Sequence, residues 1–366
     1  MKIGILTLNG NFNFGNRLQN YALQQYVKQL CSCEIETIIN ITDYQPKTKL
    51  LQKIKLNNIL EKIDYIIKFK ILYKNKLKNR NDKFIEFSKN IKETVYTISN
   101  EKIDNRCKLF DRIIIGSDQV WSPFFYRLSE IDFGMFLEKE KVFSYSASLG
   151  ADYIPDEFID LFKRGIANVS MISVRENSGK KILQELTKRE DIEVLIDPTM
   201  LITKEEWIKI EKKPTQIENK KYILNYFLGE ISKEIKKEIE KIAKENDCEI
   251  INILDKKDPF YESGPSEFLY LERNAFLICT DSFHSCVFAI LFNTPFIVFN
   301  REDKTVNMNS RIETLLSKFK LENRYYKGKI DKELLKTDYM EAYKILEEER
   351  KKSLTFLKKA LNIEEI

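Results

Sequence analysis

His284 is the only histidine in the 366-residue chain, and its position suits proton chemistry. It lies in FLICTDSFHSCVFAILF, between a short apolar run typical of a buried strand and a longer one typical of a helix. We expect Asp281 or Ser282 to cap that helix, which places the imidazole in the first helical turn, just past the strand. Two interpretations are open. The imidazole transfers protons near working pH, or it is a buried structural side chain bonded to a carbonyl.

Several cations follow predicted strands at the edge where the histidine is expected. Arg175 comes directly after the strand in SVREN, and its planar guanidinium matches a carboxylate or a phosphate. The alternative is an ion pair with Glu176 or another surface acid. Arg301, Lys304 and Arg311 come after the strand PFIVFN. Cations gathered beside a proton-transfer group suit a substrate that carries two acidic groups.

Two further loops hold candidate ligand-binding residues. The loop GNFNFGNR nearly matches a P-loop, but Asn16 stands in place of the lysine and Arg17 in place of the hydroxyl, so we exclude a P-loop. Gly10 and Gly15 still let the backbone approach a ligand at a helix start, which makes Asn16 a candidate. In GSDQVW, Asp118 offers a carboxylate at a strand end, or it caps the following turn. No G-x-G-x-x-G motif indicates a dinucleotide site.

The elements that position these residues alternate between strand and helix. KIGILTLN predicts a buried strand, RLQNYALQQYVKQL has apolar residues at helical spacing, and EIETIIN predicts a second strand. This opening is typical of a parallel α/β sheet, and the alternation restarts after a break near residues 203–220. We therefore predict two doubly wound α/β domains that face a cleft. In such folds ligands bind outside the carboxyl ends of the strands.

The predicted domain boundaries follow from this alternation. Residues 1–203 form an N-terminal α/β domain with a basic helical insertion at about 47–90, residues 204–340 form a C-terminal α/β domain, and residues 341–366 form a charged C-terminal helix. Near the boundary, Thr203 and Glu206 have the spacing of a capping box, which predicts a helix start.

The insertion differs from the rest of the chain in charge. Residues 47–83 contain twelve Lys or Arg and three acids, a net +9, while the rest of the chain sums to −4. One interpretation is an amphipathic helical surface that contacts an anionic membrane or a lipid-phosphate-linked substrate. It would place the protein at the inner face of the membrane. The other is a solvated, lysine-rich helix pair packed on the sheet.

Composition excludes several classes of protein. A net charge of +5 is small for this length and does not favour nucleic acid as a partner. The six cysteines show no repeated spacing, and one histidine does not complete a usual zinc set, so reduced thiols are expected. No apolar run approaches the ~20 residues of a membrane span. We expect a soluble cytoplasmic protein whose sequence demands no metal or organic cofactor.

Taken together, nine segments of the chain resemble the polysaccharide pyruvyl transferase family. They run in the family's order from about Gly4 to about Leu316, so the resemblance covers most of the chain. The segments are FGNRLQNYALQ, IIGSDQVWSP, YSASLG, SVREN, LIDPTMLITKEEW, GPSEFL, TDSFHS, FNTPFIVFNR and NSRIETLL.

The resemblance implies a fold and a reaction. It implies two Rossmann-like domains in a glycosyltransferase-B-like arrangement, with phosphoenolpyruvate as donor. Family members move the pyruvyl group onto a sugar of a cell-surface polysaccharide or its precursor, such as a lipid-linked glycan, usually as a cyclic ketal. The family's histidine falls on His284 and the arginine of its S-V-R segment on Arg175. For the third basic residue, spacing favours Lys304, while the flanking RIETLL favours Arg311.

The chain departs from the family pattern beside the histidine. Ser282 stands where the well-studied branch has an arginine, and Ser285 replaces a frequent glycine. A different acceptor or a different donor therefore stays open, because membership of a fold does not establish a reaction.

The resulting hypothesis assigns roles to eight residues. Arg175 and one of Lys304 or Arg311 clamp the donor, and His284 acts as general acid or base. The remaining candidates for substrate binding are Arg301, Ser282, Asp118 and Asn16. Two alternatives are a nucleotide-sugar-dependent glycosyltransferase of the same architecture, and a non-catalytic glycan- or membrane-binding member that uses residues 47–83.

Overall fold

The computed structural model of the protein describes residues 1–10, 12–40, 73–99, 102–124, 128–218, 220–301 and 309–363. It confirms the predicted fold class, because the described residues form two α/β units, each built on a parallel sheet. We refer to them as the N-terminal unit and the C-terminal unit. The N-terminal sheet consists of β1 (Lys2–Leu6), β2 (Glu34–Asn40), β3 (Glu93–Tyr96), β4 (Arg112–Ile115), β5 (Val142–Ala147), β6 (Met171–Val174) and β7 (Ile192–Val194). The C-terminal sheet consists of β8 (Lys221–Tyr226), β9 (Cys248–Asn252), β10 (Leu277–Thr280) and β11 (Phe296–Val298).

The helices alternate with these strands along the chain. Those of the N-terminal unit and its connection are α1 (Phe14–Leu30), α2 (Lys74–Ser88), α3 (Asp156–Ala167), α4 (Asn177–Thr187) and α5 (Lys204–Ile210). The remaining described helices are α6 (Lys233–Glu245), α7 (Pro265–Asn274), α8 (Phe283–Phe292), α9 (Ser310–Lys318) and α10 (Met340–Leu361).

Each sheet has one point at which the strand order reverses direction. The N-terminal order is β3-β2-β1-β4-β5-β6-β7, so the order reverses between β1 and β4. The C-terminal order is β11-β10-β8-β9, so the order reverses between β8 and β10. In open parallel sheets, ligands bind at the carboxyl ends of the strands beside such a reversal. A ligand site is therefore expected at the loops that follow these four strands.

Local sequence explains where two of the helices begin. The side chain of Asn13 accepts a hydrogen bond from the backbone N–H of Asn16 (3.1 Å) and caps α1. The predicted capping box at the start of α5 is confirmed, since Thr203 and Glu206 each accept from the other's backbone N–H.

The two units share a continuous apolar interior. The ring of Phe14, at the start of α1, stacks on Phe268 of α7 with centroids 4.5 Å apart, and on Phe84 of α2 at 5.3 Å. Buried residues of both sheets belong to one cluster with these rings. Because dense packing resists sliding, the two units are held in one relative orientation.

The last helix also joins the two units. In α10, Arg350 donates to the carbonyls of Met200 (2.8 Å) and Ile202 (3.0 Å), and the hydroxyl of Tyr343 donates to the carbonyl of Ile290 (3.1 Å). This helix, at Met340–Leu361, thus packs on both units, in the region where the sequence predicted a charged C-terminal helix. The domain boundaries themselves stay a prediction.

The described part of the basic insertion is a helix that contacts the C-terminal unit. In α2, Arg80 donates to the carbonyl of Tyr261 (2.8 Å), and Asn79 donates to Glu262 (2.7 Å). Residues 41–72 lie outside the described residues, so membrane contact through residues 47–83 stays a prediction. Within the part of the chain that is described, no helix combines the length and apolar character of a membrane span.

Candidate active site

The carboxyl ends of the two sheets face each other across a cavity of about 480 Å³. All four loops beside the strand-order reversals contribute to its wall, and the segment after β11 and helix α9 add to it. The lining residues include Gly10 and Asn16 after β1, Asp118 and Gln119 after β4, Leu228 after β8, Asp281 and His284 after β10, Arg301 after β11, and Arg311 in α9. The sequence predicted this edge of the sheets as the ligand site, and most of its candidate residues meet there.

His284 lies in the first turn of α8, as predicted, with a side chain that is 9% exposed. Its Nε2 is enclosed and has no hydrogen-bond partner among the described residues. The nearest acidic group is Asp197, whose Oδ2 lies 3.6 Å from that nitrogen, an ion-pair distance rather than a hydrogen bond. On the other side, the ring lies against Gly15, where an added Cβ would be 2.1 Å from Nδ1. A glycine is thus required for the ring to take this position.

Asp197 connects the histidine to Arg175. Its Oδ2 accepts hydrogen bonds from Arg175 Nη1 (2.9 Å) and from the hydroxyl of Ser117 (3.0 Å). Its Oδ1 accepts from the backbone N–H of Thr199 (3.0 Å) and from the same residue's hydroxyl (2.7 Å). A fully buried carboxylate with four such donors is held in one orientation.

Arg175 lies behind the cavity wall. Its guanidinium is 4.4 Å above the ring of Phe283, which lines the cavity, and its Nη2 donates to Asp118 Oδ1 (3.3 Å). The ion pairs of Arg175 are therefore with Asp118 and Asp197. The alternative pairing with Glu176 is wrong, because that carboxylate accepts from the backbone N–H groups of residues 149 and 150.

The two aspartates are ionised in this setting. Burial by itself would raise the pKa of Asp197, but His284 and Arg175 more than offset it, so its pKa lies well below the ordinary value. Burial likewise opposes ionisation of Asp118, and chiefly Arg175 holds the pKa of that carboxyl below its ordinary value. The result is two fixed negative charges beside the imidazole, both paired with the buried guanidinium of Arg175.

Arg311 differs from Arg175 in having no such partner. It lines the cavity, makes no ion pair or hydrogen bond with any described residue, and has a buried Nε without a hydrogen-bond partner. Burial, and then the nearby charge of Arg175, lowers the pKa of Arg311 to about 10. Since a partly buried cation with an enclosed, unpartnered nitrogen is unfavourable, this arrangement favours an anion bound in the cavity.

A second cation on the cavity wall is anchored from within the C-terminal unit. Arg301 Nε donates to Asp281 Oδ2 (3.1 Å). Asp281 also accepts from the backbone N–H groups of Leu228 (2.7 Å) and Gly229 (2.8 Å), so it joins the loops after β8 and β10. Asp281 was one of two predicted caps of α8, but its oxygens are used in this way instead. Ser282 occupies the N-cap position, and its side chain makes no capping hydrogen bond.

The loops of the N-terminal unit are fixed by amide side chains. Asn16 Oδ1 accepts from the backbone N–H of Gly10 (3.1 Å), and its Nδ2 lies 3.5 Å from Asp118 Oδ2. Gln19 accepts from the backbone N–H of Ser117 (3.2 Å) and donates to the hydroxyl of Thr7 (2.9 Å). Asp118 has a left-handed backbone (φ 66°), a conformation that non-glycine residues rarely adopt and that clusters at functional sites.

The structure thus brings together His284, Arg311, Arg301, Ser282, Asp118 and Asn16 at one cavity, with Arg175 directly behind it. Lys304 lies outside the described residues. Sequence reasoning missed Asp197, although it follows the strand in IEVLID as the other polar residues follow theirs, and that position was the available signal. Within the described ranges, no cluster of three or more His, Cys, Asp or Glu side chains is arranged to hold a metal ion.

Comparison with known proteins identifies a family and several structural neighbours. The model of the polysaccharide pyruvyl transferase family matches residues 13–303. No curated protein has a sequence that matches this chain significantly. Similar solved structures include UDP-GlcNAc 2-epimerase from Neisseria meningitidis bound to UDP-GlcNAc, with 12% identity, coverage of 100% of this chain and 95% of that chain, and a TM-score of 0.45. UDP-N-acetylglucosamine 2-epimerase from Rickettsia bellii shows 12% identity, coverage of 99% and 96%, and a TM-score of 0.47.

Proposed function

Because the chain belongs to the polysaccharide pyruvyl transferase family, we propose that it transfers the pyruvyl group of phosphoenolpyruvate to a sugar of a cell-surface polysaccharide or its precursor. The product is a pyruvate ketal across two sugar hydroxyls, and the by-product is inorganic phosphate. The observation that carries the proposal is that Arg311, a cation without a partner among the described residues, lines the same cavity as the imidazole of His284.

The donor carries two acidic groups, and the cavity offers cations for them. Arg311 binds one of these groups with its unpartnered guanidinium, and Arg301 supplies positive charge from the C-terminal unit. The first turn of α8 adds the positive end of a helix beside His284. Lys304 stays a further candidate for this clamp.

Arg175 acts indirectly in this proposal. Both ends of its guanidinium are engaged by Asp118 and Asp197, and Phe283 separates it from the cavity. It therefore compensates the two carboxylates and keeps Asp197 ionised and in place beside the histidine. Sequence reasoning expected Arg175 to clamp the donor, and the structure favours this positioning role instead.

Proton transfer is the task of His284. In the reaction, C3 of phosphoenolpyruvate gains a proton and becomes a methyl group, which leaves C2 electron-poor. One sugar hydroxyl adds to C2 and returns a proton to the imidazole. The second hydroxyl then displaces phosphate from C2 and gives up its proton, which leaves with the phosphate. The imidazole donates the proton to C3 as general acid, and ionised Asp197 forms an ion pair with the protonated ring.

The test is a turnover assay with defined products. The protein is incubated with phosphoenolpyruvate and lipid-linked or nucleotide-linked sugars, while phosphate release and acceptor mass are followed. We expect acceptor mass to rise by a pyruvate ketal, and His284→Gln to lower the rate about 10²- to 10⁴-fold. Equal rates for wild type and His284→Gln would refute the assigned role. Release of a nucleoside diphosphate from a nucleotide sugar, without phosphate from phosphoenolpyruvate, would show a glycosyltransferase instead.

A further inference from the structure

The rim of the cavity differs in chemistry from its floor. The floor holds buried charged and polar groups, among them His284, Asp118 and Asp281. At the rim, Phe12 of the N-terminal unit is 76% exposed and Leu228 of the C-terminal unit is 44% exposed. We propose that Phe12, with Leu228 lining the same cavity, is the platform on which a pyranose ring of the acceptor stacks. This inference rests on the proposed function, since it names the site of the second substrate.

Phe12 is largely exposed to solvent although its side chain is large and apolar. It is the most exposed of the large apolar side chains among the described residues. One edge of its ring lies against Gly10, where an added Cβ would be 2.2 Å from Phe12 Cε1. Single exposed apolar residues are ordinary on protein surfaces. Two of them line one cavity, each from a different unit, and together they offer apolar surface to a ligand.

A polar side chain on the cavity wall favours a sugar over other occupants. The side chain of Asn9 lines the cavity and makes no hydrogen bond with any described residue, whereas the amide nitrogen of Gln119 is buried against Gly150. A pyranose has C–H bonds on its faces and hydroxyls around its edge. A ring covers such a face, while amides donate to and accept from such hydroxyls. An acyl or prenyl chain would leave the Asn9 amide without a partner.

The volume leaves room for this second ligand. The cavity of about 480 Å³ falls in the range of ~300–1,000 Å³ that holds drug-sized ligands. Phosphoenolpyruvate is a three-carbon ester that occupies only the charged floor. A sugar above it presents its hydroxyls to C2 of the donor, which is the geometry that ketal formation requires.

Saturation-transfer NMR with a panel of methyl hexopyranosides and methyl N-acetylhexosaminides tests the platform. We expect at least one glycoside to receive magnetisation from the wild-type protein, and Phe12→Ala to weaken its binding about tenfold. Phe12→Trp keeps an aromatic face and should retain binding, whereas Phe12→Leu keeps only apolar area and should not. Tyr153→Ala is the matched control, because Tyr153 is an exposed aromatic residue (54%) outside the cavity lining.

Each result decides the proposal. Equal binding by wild type and Phe12→Ala, or no transfer to any glycoside, would overturn it. Binding retained in Phe12→Leu but lost in Phe12→Ala would also overturn it, since that pattern shows that apolar area, rather than an aromatic face, holds the glycoside. Calorimetric titration with phosphoenolpyruvate separates this result from the proposed function. Glycoside binding without phosphoenolpyruvate binding would support the platform and reject phosphoenolpyruvate as the donor. Phosphoenolpyruvate binding without glycoside binding would reject the platform and leave the proposed donor in place.

Discussion

Nε2 of His284 lies 3.6 Å from Oδ2 of Asp197, and the two residues belong to different α/β units. The candidate site is therefore assembled across the interface rather than within one sheet. The same oxygen of Asp197 accepts from Arg175 at 2.9 Å, which ties the position of the imidazole to a buried ion pair of the N-terminal unit. The stacked rings of Phe14 and Phe268 keep the units at the distance that this contact requires.

Replacing Asp197 by Asn tests the role of this carboxylate. The substitution keeps shape but removes the charge opposite the imidazole, so we expect kcat to fall about 10²-fold or more with a smaller change in affinity for phosphoenolpyruvate. Arg175 would lose one of its two partners, so the free energy of unfolding should fall by about 3 kcal/mol. Steady-state kinetics on protein shown to be folded by circular dichroism measures the first effect, and urea unfolding measures the second.

Asp191→Asn is the matched control for that experiment. Asp191 is an exposed partner of Arg189 and lies outside the cavity lining. We expect its kcat to match that of wild type. If Asp197→Asn lowered kcat no more than this control does, Asp197 would have no role in positioning the histidine.

Gly15→Ala tests the packing of the histidine directly. The new methyl group would lie 2.1 Å from Nδ1 of His284, so the ring must move out of its position. We expect turnover to fall about 10²-fold, because small displacements of catalytic groups have effects of this size. The melting temperature should also fall, because displacing a buried ring costs more free energy than the helix propensity that alanine adds within α1, so the assay is run on protein shown to be folded. A variant with wild-type turnover would show that the ring position in the free protein is not the working one.

Glu272 provides a prediction about pH that is independent of the proposed chemistry. This carboxyl is fully buried in α7, and its Oε1 accepts from the hydroxyl of Ser285 (2.6 Å). Burial raises the pKa of Glu272 well above its ordinary value of 4.5, and the Ser285 hydroxyl offsets this only in part. The folded protein therefore binds a proton that the unfolded chain releases, so the contribution to stability is present below pH 4.5 and is lost as pH rises toward the folded pKa.

Urea unfolding across a pH series measures this effect. The free energy of unfolding of wild type should decline above pH 4.5 by up to about 1.4 kcal/mol per pH unit from this group. Glu272→Gln keeps an acceptor for Ser285 and removes the titration, so its decline should be shallower by that amount. Parallel curves for the two proteins would show that Glu272 is ionised in the folded state.

The sequence predicted the elements of the site better than their contacts. Apolar periodicity and the residues that follow each strand placed His284, Asp118 and Arg311 at one sheet edge, because parallel strands bring their carboxyl ends together. The ion pair between Asp197 and Arg175 was not predictable in this way. It depends on the orientation of two side chains 22 residues apart, which packing of the whole unit decides.

The cap of α8 illustrates the same limit. Asp281 and Ser282 both have the residue type of an N-cap, and sequence does not distinguish them. In the folded chain the loop after β8 supplies two backbone N–H groups to Asp281, and these donors come from residues more than 50 positions away. Asp281 therefore binds long-range backbone donors and does not form the local cap that its residue type allows.

Titration calorimetry with phosphoenolpyruvate at neutral pH, on wild type and Arg311→Met, tests the central claim most directly. Arg311 has no partner among the described residues, and the folded structure disfavours its charge, so Arg311→Met should raise the melting temperature of the ligand-free protein. Its affinity for phosphoenolpyruvate should nevertheless fall about 10- to 100-fold. Arg164→Met, which removes an exposed arginine paired with Asp160 and Glu130, should bind like wild type. Binding of equal strength in Arg311→Met and wild type, or no binding by either, would contradict the account.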